Sequence, residues 1–267
     1  MASFDVFTVI AVDNIQHTAY KLAEFAAKSM SKLKSKNNSI NFLCVTKKGM
    51  SSPNGWNKIG EVGINKSKSE NLVVSDGYDL CLKRMRSDFV VFCHLDISVL
   101  CRNWDSIVVD LLNTYQMVGV PHFNGGFNSP SQIFCCASRD VWITLNISFK
   151  PILVGRGKNI FSKRITSEES TIIGGSKPGS LVKFDTGHEI PFKMNELGYK
   201  SYVFPATGTN IFFDREGLDL KKSTRKKVVT EWSYKNKPFL GHFQGGRHND
   251  NRSDKWIYRV GKYLEKI

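Results

Sequence analysis

The first 45 residues read strand, helix, strand, and that pattern restricts the fold more than any other feature of the chain. Residues 7–12 (Phe-Thr-Val-Ile-Ala-Val) form a short β-branched apolar run that stops at Asp13-Asn14, as a strand does at its carboxyl end. Over residues 17–33, Tyr20, Leu22, Ala23, Phe25, Ala26, Met30 and Leu33 recur at mixed spacings of three and four, with Lys21, Lys28, Lys32 and Lys34 on the wet side. Residues 40–45 (Ile-Asn-Phe-Leu-Cys-Val) are a second strand. Two strands joined by a helix of this length pair in parallel, so the opening is a βαβ unit.

The pattern continues through the first half. Residues 47–69, rich in Lys, Ser, Gly and Asn, read as a loop, and 79–85 as a helix. Residues 88–93 are the most strongly apolar strand of the chain; 104–114 read as a helix, and 117–121 and 131–136 as strands. Alternation of this kind predicts an α/β fold, a mixed central sheet flanked by helices. The second half is less regular. Residues 154–183, rich in Gly, Lys, Arg and Ser, read as a long loop or an active-site cover. Residues 190–197 form a short helix stopped by Gly198, 199–204 a strand, and the last dozen residues a terminal helix. No repeat and no linker divides the chain. The expectation is one compact domain with two functional halves, residues 1–120 and 121–267.

Composition narrows the class of partner. The 267 residues are 41% hydrophobic and 23% charged, which excludes wholesale disorder, and the formal net charge of +14 points to anionic partners. The six cysteines form no Cys-X-X-Cys pair and several lie in apolar runs, so buried free thiols in a reducing compartment are expected. No run approaches the length of a membrane span and no signal peptide is visible at the start; a cytoplasmic protein is expected.

Three stretches carry groups suited to chemistry. His94-Leu95-Asp96 follows the strand 88–93, and in open α/β sheets ligands bind beyond the carboxyl ends of strands. Side chains at i and i+2 aim the same way, so an imidazole and a carboxylate would converge there and could hold a divalent cation. Equally, Asp96 could cap the next element and His94 be an ordinary half-buried histidine. In the second stretch, Asp185 and Glu189 stand just before a helix, where a carboxylate could act as a base or simply cap the helix. In the third, His242 precedes Gly245-Gly246-Arg247, a glycine-rich backbone beside a guanidinium, which suits a phosphate or a plain surface turn.

Taken in order, these stretches resemble the GT-A (Rossmann-like) glycosyltransferases of the inverting family 2 type. The resemblance rests on Ser75-Asp76-Gly77-Tyr78-Asp79-Leu80, the strand running into His94-Leu95-Asp96, Asn103-Trp104, the acidic segment 185–189 before a helix ending in Gly198-Tyr199, and the late His242. His94 departs from the family pattern, occupying the place of the first Asp of an Asp-X-Asp motif, while Asp96 matches the second. The resemblance implies that Asp96 and His242 bind Mn²⁺ or Mg²⁺. Asp13, Asp76, His94, Gly245, Gly246 and Arg247 would contact the nucleotide-sugar donor, expected to be a UDP-sugar. Asp185, or else Glu189, would be the catalytic base. It also implies an acceptor half that is less regular than the nucleotide-binding half.

The acceptor is suggested by charge. Basic residues recur at Lys32, Lys34 and Lys36, at Lys47 and Lys48, at Arg156, Lys158, Lys163 and Arg164, and through 221–227, with Trp232 and Tyr234 nearby. This suits nucleic acid. Viral enzymes that glycosylate hydroxymethylated bases offer a precedent, so a hydroxymethylpyrimidine in DNA is the expected acceptor and host cytoplasm the expected location. The alternatives are a surface or lipid-linked glycan acceptor, a non-catalytic nucleic-acid-binding protein, and a metal-dependent nuclease.

Overall fold

A computed structural model of the chain describes residues 1–11, 16–63, 70–121, 129–150, 152–155, 162–164, 181–184, 186–187, 189–207, 229–243 and 252–267. The elements are β1 (Ser3–Ile10), α1 (Gln16–Leu33), β2 (Ser39–Lys47), β3 (Asn57–Val62), α2 (Glu70–Leu82), β4 (Phe89–Cys93), β5 (Ile97–Val99), α3 (Trp104–Leu112), β6 (Met117–Pro121), β7 (Pro130–Ser138) and α4 (Arg139–Leu145). They continue as β8 (Ile152–Gly155), β9 (Ser162–Arg164), β10 (Leu181–Phe184), α5 (Glu189–Glu196), β11 (Ser201–Val203), β12 (Val229–Tyr234), β13 (Lys237–Phe243) and α6 (Arg252–Lys266).

Seven strands form the central sheet in the order β11-β6-β7-β4-β1-β2-β3. β1 pairs in parallel with β2 and β4, β2 with β3, and β6 with β11; β7 runs antiparallel to both its neighbours. The expected mixed α/β sheet is therefore present, with its opening βαβ unit. Two small antiparallel sheets accompany it, β10-β8-β9 and β12-β13-β5.

Alternation along the strands builds two cores. From β1 and β4, Phe4, Val6, Ile10, Val91 and Cys93 face α1, α3, α6 and β13, while Phe7, Val9, Val90 and Phe92 face α2, α4 and α5. One buried charge interrupts β1. Burial pushes the Asp5 carboxyl up, but the amides of Ser87 and Arg86, the Ser87 hydroxyl and the Asn41 amide all donate to it and hold it below the usual range. This carboxylate joins the start of β1 to the turn that launches β4.

The cysteines are all free, five of them buried, as expected. Burial pushes the Cys44 thiol up to about 12, so it stays protonated.

Several local expectations are corrected. The helix placed at 79–85 is α2, which begins at Glu70 and ends at Leu82. Its β-branched residues and Gly77 are poor helix formers, and packing on β1 overrides them: a Cβ on Gly77 would lie 2.6 Å from Val9. The loop at 47–69 contains β3, an edge strand too polar to show alternation. The segment 154–183 includes parts of β8 and β10 and the whole of β9, with the rest outside the described residues. The first strand starts at Ser3 rather than residue 7.

Candidate metal centre

The site lies at the carboxyl end of β4, which stays paired with β7 through Cys93 opposite Phe134. Tyr78, from α2, donates its hydroxyl proton to the Cys93 carbonyl at 2.8 Å, and the His94 amide donates to Ile133 of β7 at 3.1 Å. The chain then leaves the sheet and passes through Asp96 into β5. β5 pairs antiparallel with β13, with Ile97 opposite His242, and the Phe243 amide donates to the Asp96 carbonyl at 2.9 Å. Two segments far apart in sequence are thereby locked in register, and their side chains meet.

The meeting point is a three-residue cluster. Asp96 Oδ1 lies 3.1 Å from His242 Nε2 and 4.0 Å from His94 Nδ1, and one ligand atom from each residue falls within 4.8 Å of the others. Among the described residues it is the one group of three or more potential metal ligands this close together. The His94 and His242 rings meet edge to face at 5.4 Å, and Trp232 of β12 stacks behind His242 at 6.2 Å. Exposure is graded, with side-chain values of 8% at His242, 14% at Asp96 and 32% at His94, so the cluster opens on the His94 side. Burial raises the Asp96 carboxyl, but the two imidazoles and the hydrogen bond from His242 outweigh it and keep it below the usual range.

This donor set fits a divalent cation. Two ligand atoms about 2.1 Å from one ion at right angles are about 3 Å apart, and the Asp96–His242 separation is 3.1 Å. The buried Nδ1 of His242 finds no hydrogen-bond partner among the described residues. A cation placed between Asp96 and His242 would take the Nε2 lone pair together with the carboxylate, leaving the ring proton on Nδ1. Two imidazoles with one carboxylate accept Mn²⁺ more readily than Mg²⁺, which prefers an all-oxygen shell, and by ligand type they also suit Fe²⁺ and Zn²⁺.

A second polar cluster lies around residues 148–150. Asp79 accepts from the Ser148 hydroxyl at 2.6 Å and the Phe149 amide at 2.7 Å; burial pushes its carboxyl up, and these two bonds only partly offset that. Glu189 is buried at the start of α5 and accepts from the Ser148 amide at 2.8 Å. Asp76 pairs with Lys150 at 3.5 Å, and the Ser75 and Thr186 hydroxyls are 3.2 Å apart. Asp76 and Glu189 therefore belong to this cluster, while His94, Asp96 and His242 form the first. Asp13, Asp185, Gly245, Gly246 and Arg247 lie outside the described residues.

The two clusters are joined by consecutive residues of β7. Ile133 receives the His94 amide, and Gln132 packs against Gly187, which has φ +77° and donates its amide to Phe149 at 3.0 Å. The φ of +77° favours glycine at 187, and a Cβ there would lie 2.7 Å from Gln132 Oε1, so the Gln132 side chain would have to shift. The register of β7 against β6 shifts between Gly119 and Pro121. Below that shift Gln132 reaches the α5 face although Ile133 and Phe134 both face the other core. Sequence reasoning did not single out Gln132 or Ser148, and it had Tyr78 only within the stretch 75–80 without a role; Gln132 sits in an apolar run and carried no motif.

No family model matches the chain, and no curated protein matches it in sequence. Its fold is similar to several solved structures. One is the mannosyltransferase PcManGT from Pyrobaculum calidifontis in complex with GDP-Man and Mn²⁺, at 11% identity and a TM-score of 0.45, covering 75% of this chain and 54% of that one. Another is apo mouse xyloside xylosyltransferase 1, at 8% identity and a TM-score of 0.36, covering 54% of this chain and 71% of that one. A third is the glycosyltransferase GlyE of Streptococcus pneumoniae TIGR4, at 11% identity and a TM-score of 0.32, covering 53% and 35%. The chain spans about half the length of the mannosyltransferase it resembles.

Proposed function

We propose that the chain is a metal-dependent glycosyltransferase that moves a sugar from a UDP-sugar to a hydroxyl acceptor with inversion, the acceptor being a hydroxymethylpyrimidine base in DNA. The observation that carries this reading is the convergence of His94, Asp96 and His242 at the carboxyl end of a central strand of a mixed α/β sheet. Asp96 and His242 would hold Mn²⁺, with His94 at the open side as third ligand or donor contact. When bound, the ion supplies positive charge against the leaving diphosphate.

The remaining roles fall to the chain. Asp185 takes the acceptor proton as the hydroxyl oxygen attacks the anomeric carbon, and the sugar–phosphate bond breaks with its electron pair leaving on the diphosphate. Glu189 is buried and turned onto Ser148, which favours Asp185 as base and makes Glu189 an anchor for the start of α5. Asp13, Asp76 and Gly245-Gly246-Arg247 are assigned to the donor, residues 1–120 to its binding half and 121–267 to the acceptor half. The net charge of +14 supports a polyanionic acceptor. Among the described residues no helix is long and apolar enough to cross a membrane; the proposed setting is cytoplasm, that of a host if the chain is viral.

A thermal-shift panel of nucleoside diphosphates with and without Mn²⁺ tests the reading. UDP is expected to raise the Tm only when Mn²⁺ is present. The same shift with every diphosphate, or none with any, contradicts it.

A further inference from the structure

We infer that the outer face of α6 docks the phosphate backbone of duplex DNA. The choice of partner rests on the acceptor reading above. The surface itself rests on helix geometry.

α6 is divided into two faces. Trp256, Val260 and Leu264 are buried, and Trp256 stacks on Phe243 at 5.8 Å. On the opposite side stand Lys255, Arg259, Lys262 and Lys266, spaced four, three and four apart. At 100° and 1.5 Å per residue they fall within about 60° of arc and along about 16 Å of helix. Lys255, Lys262 and Lys266 are exposed and Arg259 half-buried. The acidic residues of the helix interior, Asp254 and Glu265, lie off this stripe, and Asp254 is paired with Lys21 of α1 at 3.2 Å. Tyr258, 60% exposed, flanks the stripe with the Lys262 ammonium 4.8 Å from its ring centre.

The spacing suits a strand of duplex. One strand carries a phosphate every ~3.4 Å along the axis, so about 16 Å of helix faces four or five phosphates. A helix that inserts into a bilayer does so through an apolar face, whereas cations alone are held at anionic headgroups only by screened charge. The apolar face of α6 is already buried in the protein core, so what remains is a row of cations with no insertion surface. Tyr258 beside the row offers an aromatic edge to sugar or base.

The test is the salt dependence of binding to an unmodified duplex of about 30 base pairs, followed by fluorescence anisotropy from about 50 to 300 mM salt. The combined variant Lys255→Gln, Arg259→Gln, Lys262→Gln, Lys266→Gln is expected to lower the slope of log K against log salt by about three to four and to weaken binding at least ~10-fold at about 100 mM. Its Mn²⁺ affinity should match that of the parent, showing that the fold is intact. The charge-retaining variant Lys255→Arg, Lys262→Arg, Lys266→Arg should keep the parental slope. Wild-type protein that binds DNA in this way but transfers no sugar supports the surface and removes the enzyme. An unchanged slope in the glutamine variant overturns the inference. So does a variant that loses binding to anionic phosphatidylserine vesicles while holding DNA as before.

Discussion

Asp96 and His242 stand 3.1 Å apart, carboxylate oxygen to imidazole nitrogen, because β5 and β13 pair with Ile97 opposite His242. The ladder makes the pair a fixed feature of the backbone. Asp96→Ala or His242→Ala should therefore lower Mn²⁺ affinity at least ~100-fold, more than is usual for a group that only supports a ligand. His94→Ala, at the open and more distant edge, should cost about 10-fold. Titration calorimetry with Mn²⁺ measures all three; equal affinities across the set would remove the cluster as a metal site.

Gly187 tests the link between the two clusters. Its φ of +77° and the 2.7 Å approach of a Cβ to Gln132 mean that Gly187→Ala strains the turn from two directions. A loss of about 1–3 kcal/mol is expected, read as a lower Tm. Sugar transfer should fall while Mn²⁺ binding is kept, because Ile133, not Gln132, holds His94. Loss of metal binding in this variant would show that the clusters are not separable.

One buried carboxyl and one half-buried carboxyl give opposite pH signatures. The folded-state pKa of Asp5 is depressed, so its contribution to stability is present above ~3.9 and lost as the pH falls through the folded value. Relative to Asp5→Asn, the parent should lose its advantage below about pH 4. The folded-state pKa of Asp79 is raised by burial, so its contribution is full below ~3.9 and lost as the pH rises through the folded value. Relative to Asp79→Asn, the parent should weaken as the pH rises toward neutrality. Urea unfolding from acid to neutral pH separates the two trends, and parallel curves would contradict both.

Asp185 and Glu189 are separated by a kinetic test. Asp185→Asn should abolish transfer while UDP-dependent stabilisation is retained, since a base acts on the acceptor and not on donor binding. Glu189→Gln should instead lower the Tm, because it weakens a buried bond to the Ser148 amide. If the Asn variant at 185 transfers at the parental rate, the proton goes elsewhere.

Elements whose own side chains carry their burial were legible in the sequence. β6 falls at residues 117–121 as expected, α1 differs by one residue, and β4 by one. β3 was missed because an edge strand needs little apolar surface, and α2 was misplaced because the contact of Gly77 with Val9 is tertiary. β5 has three residues, too few for a period, and exists only through its pairing with β13. The same division holds at the site. The i, i+2 spacing brought His94 and Asp96 forward, whereas Gln132 and Ser148 matter through bonds and contacts to residues far away in sequence.

The most direct measurement is anomalous diffraction at the manganese edge from crystals soaked in Mn²⁺. The account predicts one dominant peak between the Asp96 carboxylate and the His242 imidazole, within about 2.3 Å of both. Crystals that diffract well with no peak there, or with the dominant peak elsewhere, would contradict it.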